Sequence, residues 1–158
     1  VLERLTPQVS QVMVSANRNL ERYALLAPQV LPDDESEFPG PLAGVLAGLR
    51  AARTPWVAVV PCDAPFLPLD LVSRLAAGVY NAAPVMAESE AGPEPVFALI
   101  PTSLAETLAM WIANGGRKVL DFYASCACTT VQFEDAAMFV NVNTLDDLAA
   151  AQARLPAL

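Results

Sequence analysis

The 158-residue sequence contains no histidine, only nine lysines and arginines, and three cysteines. Each shortage closes off a class of chemistry. Without an imidazole, no Ser–His or Cys–His catalytic pair can form within the chain. Cys62, Cys126 and Cys128 do not stand at zinc-site spacing, and the odd count fits no disulfide framework. They read as reduced thiols. Seventeen Asp and Glu leave a net charge of −8. Such a surface repels nucleic acid, and a phosphate ligand would call for a metal ion to offset the repulsion. Long hydrophobic runs are missing too. The longest, at 55–69, is interrupted by four prolines and Asp63, so no stretch of about 18 uncharged apolar residues exists to span a bilayer. Residues 1–10 carry Glu3 and Arg4 and lack the apolar core of a signal peptide. The expectation is a cytoplasmic protein with neither a membrane nor a nucleic-acid partner.

What remains is 54% hydrophobic and 16% charged. Much of the excess is Ala, Leu and Val, as in a tightly packed α/β domain. The length suits one domain over 1–158. Val9, Val12 and Val14 predict a strand that feeds the loop Ser15-Ala16-Asn17-Arg18. A helix over 20–27, a short strand at Val30 and Leu31, and an acidic proline-bounded loop at 32–40 follow. Pro41 can open the next helix, where its missing N–H costs nothing, and that helix runs to about Arg53. Trp56-Val57-Ala58-Val59-Val60 reads as a strand buried on both faces.

Helices are predicted over 68–80, around Leu104 to Ile112, and at 119–124. Two strands, at 84–87 and 95–100, flank a turn at Gly92-Pro93, and further strands fall at 129–133 and 138–142. Thr144 caps a last helix with Asp146 and Asp147 in its first turn. The alternation predicts a three-layer α/β fold with a mainly parallel sheet. Ligands then bind beyond the carboxyl ends of the strands.

Asp63 stands there between Pro61 and Pro65, two prolines that stiffen the turn. A carboxylate so fixed suits Mg²⁺, which takes one or two carboxylates plus substrate phosphates. It could equally cap the next helix. Gly40-Pro41-Leu42-Ala43-Gly44 opens a helix whose free N–H groups can receive an anion, while Gly44 and Gly48, four apart, also suit close packing of helix on sheet. In a strand at 138–142, Asn141 and Asn143 share one face. Their amides can read a heterocycle with mixed donors and acceptors, or close an Asx turn. Arg117 and Lys118, at a helix start that disfavours cations, point to an anionic partner or to a solvated pair. One of Asp33, Asp34 and Glu35 could accept from a guanine N1–H and amino group.

Ser-Ala-Asn-Arg at 15–18, Asp33 seven residues before Gly40, Phe-Pro-Gly-Pro-Leu-Ala-Gly at 38–44, Pro-Cys-Asp-Ala-Pro at 61–65 and Phe-Val-Asn-Val-Asn-Thr at 139–144 follow one another in a set order. In order and spacing the set resembles the molybdenum cofactor guanylyltransferases. The resemblance implies a Rossmann-like nucleotidyltransferase fold and GMP transfer from GTP to Mo-molybdopterin with release of pyrophosphate. It implies Asp63 as the Mg²⁺ ligand and Ser15 and Asp33 as nucleotide contacts. Gly44, Arg117, Lys118, Asn141 and Asn143 fall on the molybdopterin side. Molybdoenzymes or their chaperones are the implied partners. A cytidylyltransferase acting on molybdopterin and a non-catalytic nucleotide- or pterin-binding module are the alternatives. The family opens with a strand and a glycine-rich loop that holds the triphosphate. Neither lies within these 158 residues, so about 35–40 residues are expected before Val1. Related enzymes often carry His or Gln where Glu94 stands.

Overall fold

The alternation of apolar residues along 85–100 divides two cores. In a computed structural model, which describes residues 1–27, 29–31 and 40–154, β4 (Val85–Ser89) and β5 (Gly92–Pro101) form an antiparallel hairpin. Val85, Ala87, Phe97 and Leu99 face one cluster, while Met86, Ala98 and Ile100 face the other. This is the period of two of a strand buried on both sides. The first cluster is closed by Leu71 and Leu75 of α4 (Leu71–Ala77) together with Phe133 and Phe139. The second is closed by α3 (Pro41–Ala51), α5 (Ala105–Ala113) and α6 (Val119–Ser125). The domain therefore has the expected three layers.

The main sheet has the order β3 (Trp56–Val59), β5, β4, β6 (Thr129–Gln132). β5 runs antiparallel to β3 and to β4, and β4 is parallel to β6. Three of the four strands thus share a direction, with β5 opposed. Two further short strands, β1 (Val14–Ser15) and β2 (Val30–Leu31), pair in parallel as a separate sheet. The other α-helices among the described residues are α1 (Leu2–Leu5), α2 (Leu20–Ala24) and α7 (Leu145–Arg154).

Several boundaries depart from the sequence reading. The β4–β5 turn falls at Glu90 and Ala91, and Gly92, at φ 122°, begins the strand. Pairing jumps from Met86↔Ala98 to Ala87↔Glu94, so 95–97 form an irregularity. Pro95 sits there, where it has no N–H to give a ladder. Val9 and Val12 lie outside the two-residue β1. The expected strand at 138–142 is absent. Residues Ala136–Phe139 form a 3₁₀ turn capped by Asp135, whose Oδ1 accepts from the Ala137 N–H at 2.9 Å. Tertiary packing decides this segment. Phe139 is buried edge-on against Phe97 at 4.8 Å and Phe133 at 5.3 Å between ring centres, which overrides the β-like sequence.

Candidate active site

Residues 61–67 leave the carboxyl end of β3 as a loop pinned by buried Ala64, Phe66 and Leu67. Arg4 Nη1 donates to the Leu67 carbonyl at 3.1 Å and ties α1 to this loop. With its flanks fixed, Asp63 is half-buried. Among the described residues no hydrogen bond or ion pair reaches its carboxylate. Its backbone carbonyl accepts from the Val142 N–H at 2.8 Å. One main-chain bond therefore brings Asp63 and the Asn141–Asn143 pair to the same end of the sheet.

The asparagines are held there by the start of α7. The carboxylate of Asp147 accepts from the N–H groups of Asn143 at 3.1 Å and Thr144 at 2.9 Å, while Thr144 Oγ1 accepts from the Asp147 N–H at 3.1 Å. This is a capping box with Asp in the reciprocal position. The Asn143 and Thr144 N–H groups and the Thr144 hydroxyl hold the Asp147 carboxyl below its ordinary range. Since 140–143 is not a strand, the asparagines do not share a strand face. Asn143 is exposed, whereas Asn141 is half-buried and its Oδ1 is a buried acceptor with no partner. Sequence reading found the Thr144 cap and missed its partner; the Thr-x-x-Asp spacing was the available signal.

Ser15 and Gly44 meet elsewhere, at a cavity of about 770 Å³ between β1, α3 and β3. Its lining continues to Pro61 and Cys62, the two residues before Asp63. The basic pair is not part of this lining. Arg117 Nη1 donates to the carbonyls of Ile112 at 2.9 Å and Gly116 at 2.8 Å and closes the end of α5. The Gly115 N–H donates to Ile112 and the Gly116 N–H to Trp111, the two bonds of a Schellman motif, with Gly115 at φ 88°. Lys118 is the exposed N-cap residue of α6, whose Val119 and Tyr123 line the cavity. Asp33 lies outside the described residues. Glu94 is engaged within the hairpin, where its Oε1 accepts from the Ser89 hydroxyl at 2.9 Å.

No cluster of three or more His, Cys, Asp or Glu groups placed to hold a metal exists among the described residues. Asp63 offers a hard oxygen donor at this end of the sheet. The half-exposed carboxylate without a protein partner fits Mg²⁺ held there. Cys126 and Cys128 pack against the α3–α5–α6 core. Burial pushes the Cys128 thiol up to about 11, which disfavours its thiolate.

An acidic residue just beyond the carboxyl end of a strand lies where α/β sheets bind their ligands. The structure is similar to solved nucleotidyltransferase folds. Over 96% of this chain and 81% of the other, it matches the molybdopterin-guanine dinucleotide biosynthesis protein A of Archaeoglobus fulgidus with a TM-score of 0.72 at 23% identity. Over 98% and 89%, it matches the 2-C-methyl-D-erythritol 4-phosphate cytidylyltransferase of Thermus thermophilus with a TM-score of 0.68 at 19% identity. The family model described as the MobA-like NTP transferase domain matches residues 1–128. A curated molybdenum cofactor guanylyltransferase of Burkholderia cenocepacia is 48% identical over 161 residues, covering 95% of this chain and 78% of the relative. The chain belongs to the MobA-like NTP transferase family.

Proposed function

We propose that this protein is a molybdenum cofactor guanylyltransferase, joining the GMP unit of GTP to Mo-molybdopterin and releasing pyrophosphate. One observation carries the reading in residue terms: a carboxylate with no protein partner among the described residues stands at the carboxyl end of β3, main-chain bonded to the segment that bears Asn141 and Asn143. The name of the 48%-identical relative supports the same reaction.

In this reading Asp63 and the nucleotide phosphates hold Mg²⁺, which offsets negative charge when bound. The terminal phosphate oxygen of the pterin attacks the α-phosphorus of GTP, and the bond to the pyrophosphate oxygen breaks. Such transfers depend on positioning and charge stabilisation. The orphan Oδ1 of Asn141 accepts from a pterin N–H, which removes an otherwise unmet buried acceptor. Asn143 and Gly44 border the pterin, Ser15 donates its hydroxyl to the nucleotide, and Asp33 reads guanine. Lys118 and Arg117 attract anionic ligand groups, Arg117 with a guanidinium already engaged on two carbonyls. The product would pass to molybdoenzymes or their chaperones in the cytoplasm.

A turnover assay on the full gene product with GTP, Mg²⁺ and molybdopterin tests the reaction. Asp63→Asn should lower kcat/KM by about 1000-fold, the weight of several kcal/mol of charge stabilisation. Preference for CTP would move the protein to a cytidylyltransferase. Pterin binding with no nucleotide affinity would end the enzymatic reading.

A further inference from the structure

The loop that carries Asp63 takes its position from chain remote in sequence. One main-chain bond inside it, from the Leu67 N–H to the Ala64 carbonyl, is long at 3.5 Å. Two firmer contacts come from the C-terminal part of the chain. The Val142 N–H donates to the Asp63 carbonyl at 2.8 Å. The Arg154 guanidinium lies over the Phe66 ring, 4.1 Å from its centre. Arg154 Nη1 also donates to the Ala137 carbonyl at 3.4 Å. Residues 63 and 66 of one short loop are thus held from the two ends of the segment 142–154, most of which is α7.

That segment has one weak joint. The backbone of α7 is stiffened by its own hydrogen bonds, but residues 140–143 before it belong to no helix or strand. Left alone, Val142 would move independently of the helix. Asp147 closes the joint. Its Oδ2 accepts from the Asn143 N–H at 3.1 Å and from the Thr144 N–H at 2.9 Å, the two residues that follow Val142. Bonds to an ionised oxygen are stronger than bonds between neutral groups. One carboxylate oxygen therefore sets the backbone directly beside the N–H that holds Asp63. On the other side of Val142 stands Asn141, whose Oδ1 is buried without a partner.

We propose that Asp147 is a positioning residue. Its carboxylate locks 142–144 onto α7, and through the Val142 N–H it fixes Asp63 and Asn141 relative to each other. Asp147 acts through the backbone and touches neither substrate. The part it plays in turnover rests on the guanylyltransferase reading, whereas the linkage from Asp147 to Asp63 does not. Phosphoryl transfer responds steeply to such placement, because small displacements of a reacting group already cost rate.

Asp147→Ala, Asp147→Glu and Ala151→Gly in the full gene product test this, by amide hydrogen exchange and by turnover with GTP, Mg²⁺ and molybdopterin. Asp147→Ala removes the acceptor. The Val142 amide should then exchange at least ~10-fold faster, and kcat should fall by about 10-fold while the KM for GTP stays within about threefold. Asp147→Glu makes the usual Thr-x-x-Glu box and should restore both. Ala151→Gly weakens α7 through helix propensity and leaves the box intact, so it lowers Tm and moves neither readout. The amides of Ala98, Leu99 and Ile100, in a strand paired on both sides, stay slow throughout and report an intact sheet. Unchanged Val142 exchange in Asp147→Ala, turnover equal to wild type, or matching losses in Ala151→Gly would each overturn the proposal. A wild-type protein without turnover, whose Val142 exchange still answers to Asp147, would sink the guanylyltransferase reading and support the linkage.

Discussion

The two sides of the main sheet are unlike. In the interior pair β4 and β5, Val85, Ala87, Phe97, Ala98 and Ile100 have no exposed surface. In β3, one strand over from β4 across β5, all four residues are half-buried and border a cavity. β3 is apolar throughout, whereas β4 and β5 carry Glu88, Ser89 and Glu94, so greater hydrophobicity is not what buries the pair more deeply. The presence of a neighbour is. Among the described residues, β5 is bonded on both sides and covered on both faces, while β3 is bonded on one side. Truncations should therefore cost very different amounts. Phe97→Ala removes a ring with no exposed surface that packs on Phe139 and should destabilise by about 3–5 kcal/mol. Val59→Ala should cost about 1–1.5 kcal/mol, because its site is already partly open. Urea unfolding of both variants measures the gap, and equal losses would break the contrast.

Glycines draw the same line. A Cβ at Gly116 would collide with Trp111 Nε1. That indole atom is buried without a hydrogen-bond partner, so its ring sits in a packed surround. Gly116→Ala should cost about 1–3 kcal/mol through overpacking. In the 158-residue chain, Gly48→Ala meets nothing and should stabilise α3 by roughly 0.5–1 kcal/mol. Opposite shifts in Tm are the expected result.

A third contrast sets the α7 cap against both cores, for it is built at the surface. Thr144→Ala loses the bond to the Asp147 N–H and should cost about 1 kcal/mol. The Asp147 carboxyl has a folded-state pKa lowered from its ordinary 3.8, so more protons bind it in the unfolded chain. Its contribution is present above pH 3.8 and is lost as the pH falls through the lower folded-state value. Asp147→Asn should flatten that acid limb in a series of melts and leave the neutral-pH slope unchanged.

These contrasts explain what was legible in the sequence. The run 56–60 announced a strand and placed Asp63 beyond it, because β-branched density and a proline-bounded turn are local signals. The three layers followed from alternation alone. The half-burial of β3 was illegible, since it depends on which strand stands beside it. The 138–142 segment carried a β-like pattern, but contacts with Phe97 and Phe133, remote in sequence, folded it into a 3₁₀ turn. Asn114, Gly115 and Gly116 end α5 as glycine-rich helix ends do, while the seal that Arg117 places on the carbonyls of Ile112 and Gly116 gave no signal in the sequence. The motif order that resembles the guanylyltransferases survived these errors because it records spacing along the chain, whatever local structure the residues adopt.

Tyr123 stands on the boundary between the two regions and provides the smallest test. Its ring belongs to the α3–α5–α6 core and also lines the cavity, and the residue is 2% exposed. Its hydroxyl is buried with no partner, and burial first, then the nearby Cys128, pushes its pKa far above the ordinary tyrosine value. A hydroxyl desolvated without a bond adds nothing to the folded state, so Tyr123→Phe should leave stability unchanged or raise it by about 1 kcal/mol. A loss comparable to that of Phe97→Ala would mean that the hydroxyl has a hydrogen-bond partner in the folded protein.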